Sequence, residues 1–123
     1  MPGTRVIFYR EDNGNVPLLQ WFDAISNKAQ DKCRLKLERL RELGHELRRP
    51  EADYLRDGVY ELRVSLQGRQ YRMLYFFHGN IAAIVSHGIV KEAQVPPKDI
   101  DLAIKRKQQF EKSPRRHTYE EPA

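Results

Sequence analysis

The segment 60–77, Tyr-Glu-Leu-Arg-Val-Ser-Leu-Gln-Gly-Arg-Gln-Tyr-Arg-Met-Leu-Tyr-Phe-Phe, constrains the fold more than any other stretch of the chain. Its first arm alternates strictly, with Tyr60, Leu62, Val64 and Leu66 on one side and Glu61, Arg63 and Ser65 on the other. This is the period-two pattern of a half-buried strand. Gly68-Arg69 reads as a two-residue type II′ turn, because glycine stands at the first central position. That turn sets Leu66 opposite Tyr71, Ser65 opposite Arg72 and Arg63 opposite Leu74. Glu61, Arg63 and Arg72 then share one face, while Tyr60, Leu62, Val64, Tyr71, Met73, Tyr75 and Phe77 share the other. A slip of one residue would drive Arg72 in among apolar side chains, so burial enforces this sorting. Two arginines and a carboxylate on a rigid sheet suit an anionic ligand such as a phosphodiester.

The flanking segments supply the rest of a small α+β domain. Arg5 to Tyr9 reads as a short strand, and Glu11 to Asn15 as a turn rich in Asp, Asn and Gly. Asn15 is expected to cap a helix entered through Pro17, on which Leu18, Trp21, Phe22 and Ile25 form a stripe. Asn27 is expected to cap a second helix that runs to about Leu43 with Ala29, Cys33, Leu37 and Leu40 facing inward. The short link between these helices predicts an antiparallel helical hairpin. His45 to Asp53 reads as a connection, and Ile81 to His87 as a strand apolar on both faces. Pro96 and Pro97 mark a final helix whose Ile100, Ala103 and Ile104 face the core. The order β-α-α-β-β-β-α predicts a helical hairpin packed on one face of a small, mainly antiparallel sheet. The Glu61/Arg63/Arg72 face is therefore expected to be open or to lie in a groove.

Composition narrows the function classes. A chain of 123 residues is one domain, and 40% apolar with 10% aromatic residues fits a folded protein. No run reaches the roughly 18 apolar residues of a membrane helix, and charges at Arg5, Arg10, Glu11 and Asp12 do not fit a signal peptide. The single cysteine, Cys33, leaves no internal disulfide and suits a reducing cytoplasm. One cysteine with four scattered histidines gives no zinc-ligand spacing, so neither a metal nor another cofactor is expected. The net charge of +5 favours polyanions as partners.

Further residues extend the hairpin's charges. Ser86-His87-Gly88 ends the third strand of the meander, and Lys91 follows closely, so an imidazole and an ammonium are expected on the same edge. Lys105 and Arg106 open a basic stretch (Lys107, Lys112, Arg115, Arg116) that only Glu111 opposes. RNA cleavage without a metal needs such equipment: a base for the 2′-hydroxyl, cations for the pentacoordinate phosphorus and an acid for the leaving oxygen. His87 is the histidine near the cluster, or else a core or strand-end histidine bonded to backbone. Glu61 is a base, or else holds Arg63 in place. Lys28, Lys32, Arg34, Lys36, Arg39 and Arg41 of the second helix make either an ordinary salted face or a ribosomal-RNA contact. Leu35, off the apolar stripe, marks a candidate protein contact.

Tyr60-Glu61-Leu62-Arg63, Tyr71-Arg72-Met73-Leu74-Tyr75-Phe76 and His87-Gly88-Ile89-Val90-Lys91, with Pro97 and the Ala103-containing helix, resemble the phage-derived Gp49-like proteins. That family belongs to the RelE/HigB-type toxins of type II toxin–antitoxin systems, and the resemblance covers about residues 5–110 in the same element order. It implies a RelE-like domain over residues 1–112, followed by a loosely ordered tail over 113–123. It also implies a metal-free endoribonuclease, an mRNA interferase acting at the ribosome, and a cognate antitoxin that covers the basic groove. Arg72 matches the hairpin arginine that contacts the scissile phosphate, Arg63 a basic position on the preceding strand, and Lys91 lies near a cationic position after the last strand. On these grounds Arg72, His87 and Glu61 are the candidate catalytic residues, and Arg63, Lys91, Lys105 and Arg106 the candidate RNA-binding ones. The family often carries two lysines after the His-Gly segment, whereas Glu92 follows Lys91 here, and residues 92–110 contain no tyrosine. His117 or Tyr119 would have to fold back from the tail to take such a place. The alternative is a non-catalytic RNA- or antitoxin-binding protein on the same fold.

Overall fold

The computed structural model describes residues 3–121. Strand β1 (Arg5–Tyr9) leads to helices α1 (Pro17–Ala24) and α2 (Asn27–Leu43). Strands β2 (Ala52–Arg56), β3 (Val59–Leu66), β4 (Arg69–His78) and β5 (Ala82–Val90) follow, then α3 (Pro97–Lys112) and β6 (Thr118–Tyr119). The strands form one mixed sheet in the order β2-β3-β4-β5-β1-β6, in which β1 runs parallel to β5 and every other pair is antiparallel. The class is α+β, with two strands beyond the four expected. Among the described residues no helix is long and apolar enough to cross a membrane.

The helical hairpin covers one sheet face, as the alternation predicted. Leu18, Phe22, Ala29, Cys33, Leu37 and Leu40 pack on Leu62, Val64, Tyr71, Met73 and Tyr75. Burial pushes the Cys33 thiol up to about 12, so it behaves as a small apolar side chain. The helix starts differ from expectation. Ser26, not Asn27, caps α2, its Oγ accepting from the Ala29 amide at 3.1 Å. Val16 precedes α1 without a side-chain cap. The Asn15 backbone instead closes the preceding turn, its carbonyl accepting from the Glu11 amide at 2.8 Å.

The opposite face is covered too, except along one margin. α3 lays Phe110 against Ile7, Tyr9, Phe76 and Ile84, and Ile100 and Ala103 against Val59 and Leu74. The β3–β4 turn is Gln67-Gly68, both with positive φ (51° and 80°), which is the type I′ geometry. Leu66 therefore pairs with Arg69 and Arg63 with Arg72, rather than Arg63 with Leu74. This register differs from the expected one by two residues, and a shift of two returns each side chain to its own face. The face sorting survives and the partners change.

The remaining differences lie at the two sheet edges. β2 occupies the end of the expected connection, its Ala52 buried against Leu62. Residues 113–121 are not a loose tail, and the last two of the chain lie outside the described residues. His117 stacks on Tyr9 with ring centroids 4.9 Å apart, and its Nδ1 meets the Arg10 carbonyl at 2.8 Å. Glu120 and Glu121 pair with Arg5 and Arg34 at 2.7 and 2.6 Å. Aromatic stacking and two ion pairs outweigh the polar composition of this segment.

Gly88 on β5 lies directly beneath the Trp21 indole, and a Cβ there would collide with the ring. We expect Gly88→Ala to lower stability by about 2–3 kcal/mol through overpacking. Leu35→Ala, at a position 67% exposed, should change it by less than about 0.5 kcal/mol. Urea denaturation of the two variants beside the parent measures both.

Candidate functional site

Pairing Arg63 directly with Arg72 across the hairpin places two like charges side by side, an arrangement that repels unless an anion joins them. Glu61 is that anion. It is 3% exposed, its Oε1 accepting from Arg72 Nη1 at 2.5 Å and its Oε2 from Arg63 Nη2 at 3.0 Å. Arg72 also donates from Nε to the Lys91 carbonyl at 3.1 Å, so its guanidinium is tied to both β3 and the chain leaving β5. Arg63 Nη2 reaches Asp53 Oδ2 on β2 at 3.4 Å, and Asp53 pairs with Arg49 at 2.9 Å. Arg49 holds the Asp53 carboxyl below the usual carboxylate range. The result is an alternating chain, Arg49–Asp53–Arg63–Glu61–Arg72, across three consecutive segments.

This chain forms one wall of a groove of about 540 Å³ beside α3, to which Leu55, Arg56, Glu92, Val95 and Ile100 also contribute. Four arginines and three carboxylates line it, so the net local charge is only +1. Arg56 is occupied by Asp101 at 2.6 Å and Asp57 at 3.2 Å. Among the described residues, Arg63 Nη1 and Arg72 Nη2 have no protein partner, and Arg63 Nε is buried without one. One NH₂ group on each of these two cross-strand guanidiniums thus remains as a donor, suited to a ligand with anionic oxygens.

His87 lies outside this cluster. Glu61, Leu74 and His87 stand in one row across β3, β4 and β5, so roughly 10 Å separates the Glu61 and His87 backbones, with Leu74 between them. A β-bulge leaves Ser86 unpaired beside His87, and both side chains turn toward α3. Arg106 Nη1 donates to Ser86 Oγ at 3.3 Å, freeing the hydroxyl proton for His87 Nδ1 at 2.7 Å. His87 Nε2–H then donates to Asp99 Oδ1 at 3.1 Å. Both ring nitrogens are used and the residue is 8% exposed. Burial is the main cause that pushes the imidazole below its ordinary range, with the neighbouring Arg106 charge adding to it. His87 is a neutral pin between sheet and helix and is not available to the groove.

Arg106, expected at an RNA surface, is likewise buried, its Nη2 donating to Glu11 at 3.0 Å. Lys91 is exposed and adjoins the cluster through its carbonyl, while exposed Lys105 belongs to a different hollow beside Tyr9 and Glu11. The structure therefore unites Arg72, Arg63, Glu61 and Lys91, and separates His87, Lys105 and Arg106 from them. On α2, Lys36 and Arg39 grip Glu51, holding its carboxyl down to about 2, and Arg41 pairs with Glu38. That surface is largely a salted face. His117 and Tyr119 do fold back, but onto β1, two strands from β4. Sequence reasoning missed Arg49, Asp53 and Glu92 as groove residues; the first two become visible once β2 is recognised as the hairpin's neighbour.

Two outcomes follow from these contacts. Glu61→Ala leaves two guanidiniums facing each other at a partly buried position and should cost about 3 kcal/mol, with Glu61→Gln intermediate, by chemical denaturation. His87 has its lowered value only when folded, so between that value and its ordinary 6.5 the unfolded chain binds more protons. The stability it contributes is complete above about pH 6.5 and is lost as pH falls through the folded value. A melting series from about pH 7.5 to 5 should show this decline, and His87→Gln should flatten it.

A model of the phage-derived Gp49-like protein family matches residues 20–108, which span α1 to α3 and include the whole arginine–carboxylate chain. No curated protein matches the chain. With well over half its length matched, this chain belongs to the Gp49-like phage-derived protein family (DUF891), part of the RelE/HigB-like toxin superfamily.

Proposed function

We propose that this protein is the toxin of a type II toxin–antitoxin pair, of RelE-like architecture, and a metal-free endoribonuclease that cuts mRNA at the ribosome in the cytoplasm. The observation that supports this most is that the guanidiniums of Arg63 and Arg72, paired across the hairpin, both bind buried Glu61 and each keep one NH₂ group without a protein partner. In this reading they bind the two non-bridging oxygens of a phosphodiester, and their contacts strengthen as charge builds on the phosphorus. The 2′-oxygen forms a bond to phosphorus while the bond to the 5′-oxygen breaks. The products are a 2′,3′-cyclic phosphate and a 5′-hydroxyl protonated by water in the open groove.

The proton acceptor follows by elimination among the groove's three carboxylates. Asp53 and Glu61 are committed to arginines, whereas Glu92 is exposed and touches only the Gln70 amide at 3.4 Å. We assign Glu92 as the base, Glu61 as the residue that positions both arginines, and Lys91 as an added cation. A cognate antitoxin would act by covering this groove. The second reading, a non-catalytic RNA- or antitoxin-binding protein, draws support from two expected proton carriers being engaged elsewhere: Glu61 is buried between two arginines and His87 is buried against α3.

Mapping RNA ends in a translation reaction separates the two. Cleavage should leave 2′,3′-cyclic phosphates, Arg72→Ala should lower the rate by about 100-fold or more, and Glu92→Gln should lower it as loss of a general base does. Message left intact at high protein concentration contradicts the nuclease reading and favours the second.

A further inference from the structure

We propose a base-stacking subsite at the outer edge of the sheet, in which Tyr54 receives an unstacked nucleobase of single-stranded RNA while the adjoining backbone passes Arg49 into the arginine groove. The proposal rests on the phosphodiester reading of that groove and adds the form of nucleic acid it accepts.

Tyr54 lies on β2, the end strand of the sheet, and is 53% exposed, unusual for a large aromatic side chain in this chain. Its ring is nevertheless fixed. The hydroxyl accepts from the Gly58 amide at 3.0 Å, and the ring meets Tyr60 edge-on at 5.1 Å. Tyr60 in turn stacks on Tyr75 at 5.3 Å with 19° between planes. An aromatic ladder thus rises from the core and ends in one presented ring. Such a platform binds any base through its π-face, at little entropic cost because the ring is already held.

The surroundings fit a nucleotide better than an apolar peptide. A hollow of about 500 Å³ at the ring is lined by Leu47, Ala52, Tyr60 and the cations Arg48 and Arg49. Arg49 and Asp53 line both this hollow and the arginine groove, so the two concavities meet around β2. The Asp53 charge at the junction is offset by Arg49 and Arg63. A duplex offers no free base face, so this arrangement selects single strands.

The test uses a short 2′-O-methyl RNA, which the protein cannot cleave, carrying 2-aminopurine and a fluorescent end label. A duplex and an abasic strand of equal charge serve as controls. The expected results are quenching of 2-aminopurine on binding, affinity about tenfold lower in Tyr54→Ala, and affinity near the parent's in Tyr54→Phe. Tyr54→Ala should leave the salt dependence and the abasic-strand affinity unchanged, since no phosphate contact is lost. Equal affinity of parent and Tyr54→Ala, with Arg72→Ala weakened, overturns the subsite while the groove reading stands. Failure of the parent to bind any of these RNAs overturns the groove reading and the subsite together.

Discussion

A single buried carboxylate organises the arginine groove on which the proposed function rests. Without Glu61, the hairpin register would set Arg63 and Arg72 against each other at the foot of α3. With it, the repulsion becomes a clamp in which each guanidinium spends one arm on the carboxylate and keeps another for a ligand. The clamp is braced from both sides, by Asp53 and Arg49 on β2 and by the Lys91 carbonyl beyond β5. Preorganisation of this kind matters more than charge count, because the groove as a whole is nearly neutral. In the proposed reading an anion meets donors already held in place, with little side-chain entropy left to lose.

The same economy explains why basic composition is a poor guide to the ligand surface. Most cations of α2 are matched by Glu38, Glu51 or the tail, and Arg106 is sealed under α3 with Glu11 and Ser86. A charge that is satisfied within the fold contributes little to steering a polyanion. The few donors that stay unsatisfied decide where an anion settles.

The sequence carried the face sorting of the central hairpin, because alternation over residues 60–66 admits one buried side. It did not carry the register. The rule that favours glycine first in a two-residue turn pointed to Gly68-Arg69, but Gln67 accepts a positive φ so that Leu62 meets Met73 and Val64 meets Tyr71 in the core. β2 escaped notice because only Ala52 of its five residues is fully buried, and β6 because two residues hold no pattern. His87 misled for a different reason. Its place on a strand was legible, but β5 runs on past the expected end at His87 to Val90, and the covering of that face by α3 was hidden, since Ile100, Ala103 and Ile104 announce a buried stripe without naming its partner. Glu92 was visible only as a departure from the family's two lysines; its exposure in the groove, which spacing could not suggest, is what makes it the proposed base.

The account turns on whether the Arg63–Arg72 clamp is where a phosphodiester binds. Side-chain ¹⁵N–¹H spectra of the arginines, recorded while a 2′-O-methyl dinucleotide is added, address that directly. The guanidinium resonances of Arg63 and Arg72 should shift together and saturate at one affinity, with those of Arg34, Arg39 and Arg41 unmoved. Shifts confined to the α2 arginines, with Arg63 and Arg72 unchanged at saturation, would contradict it.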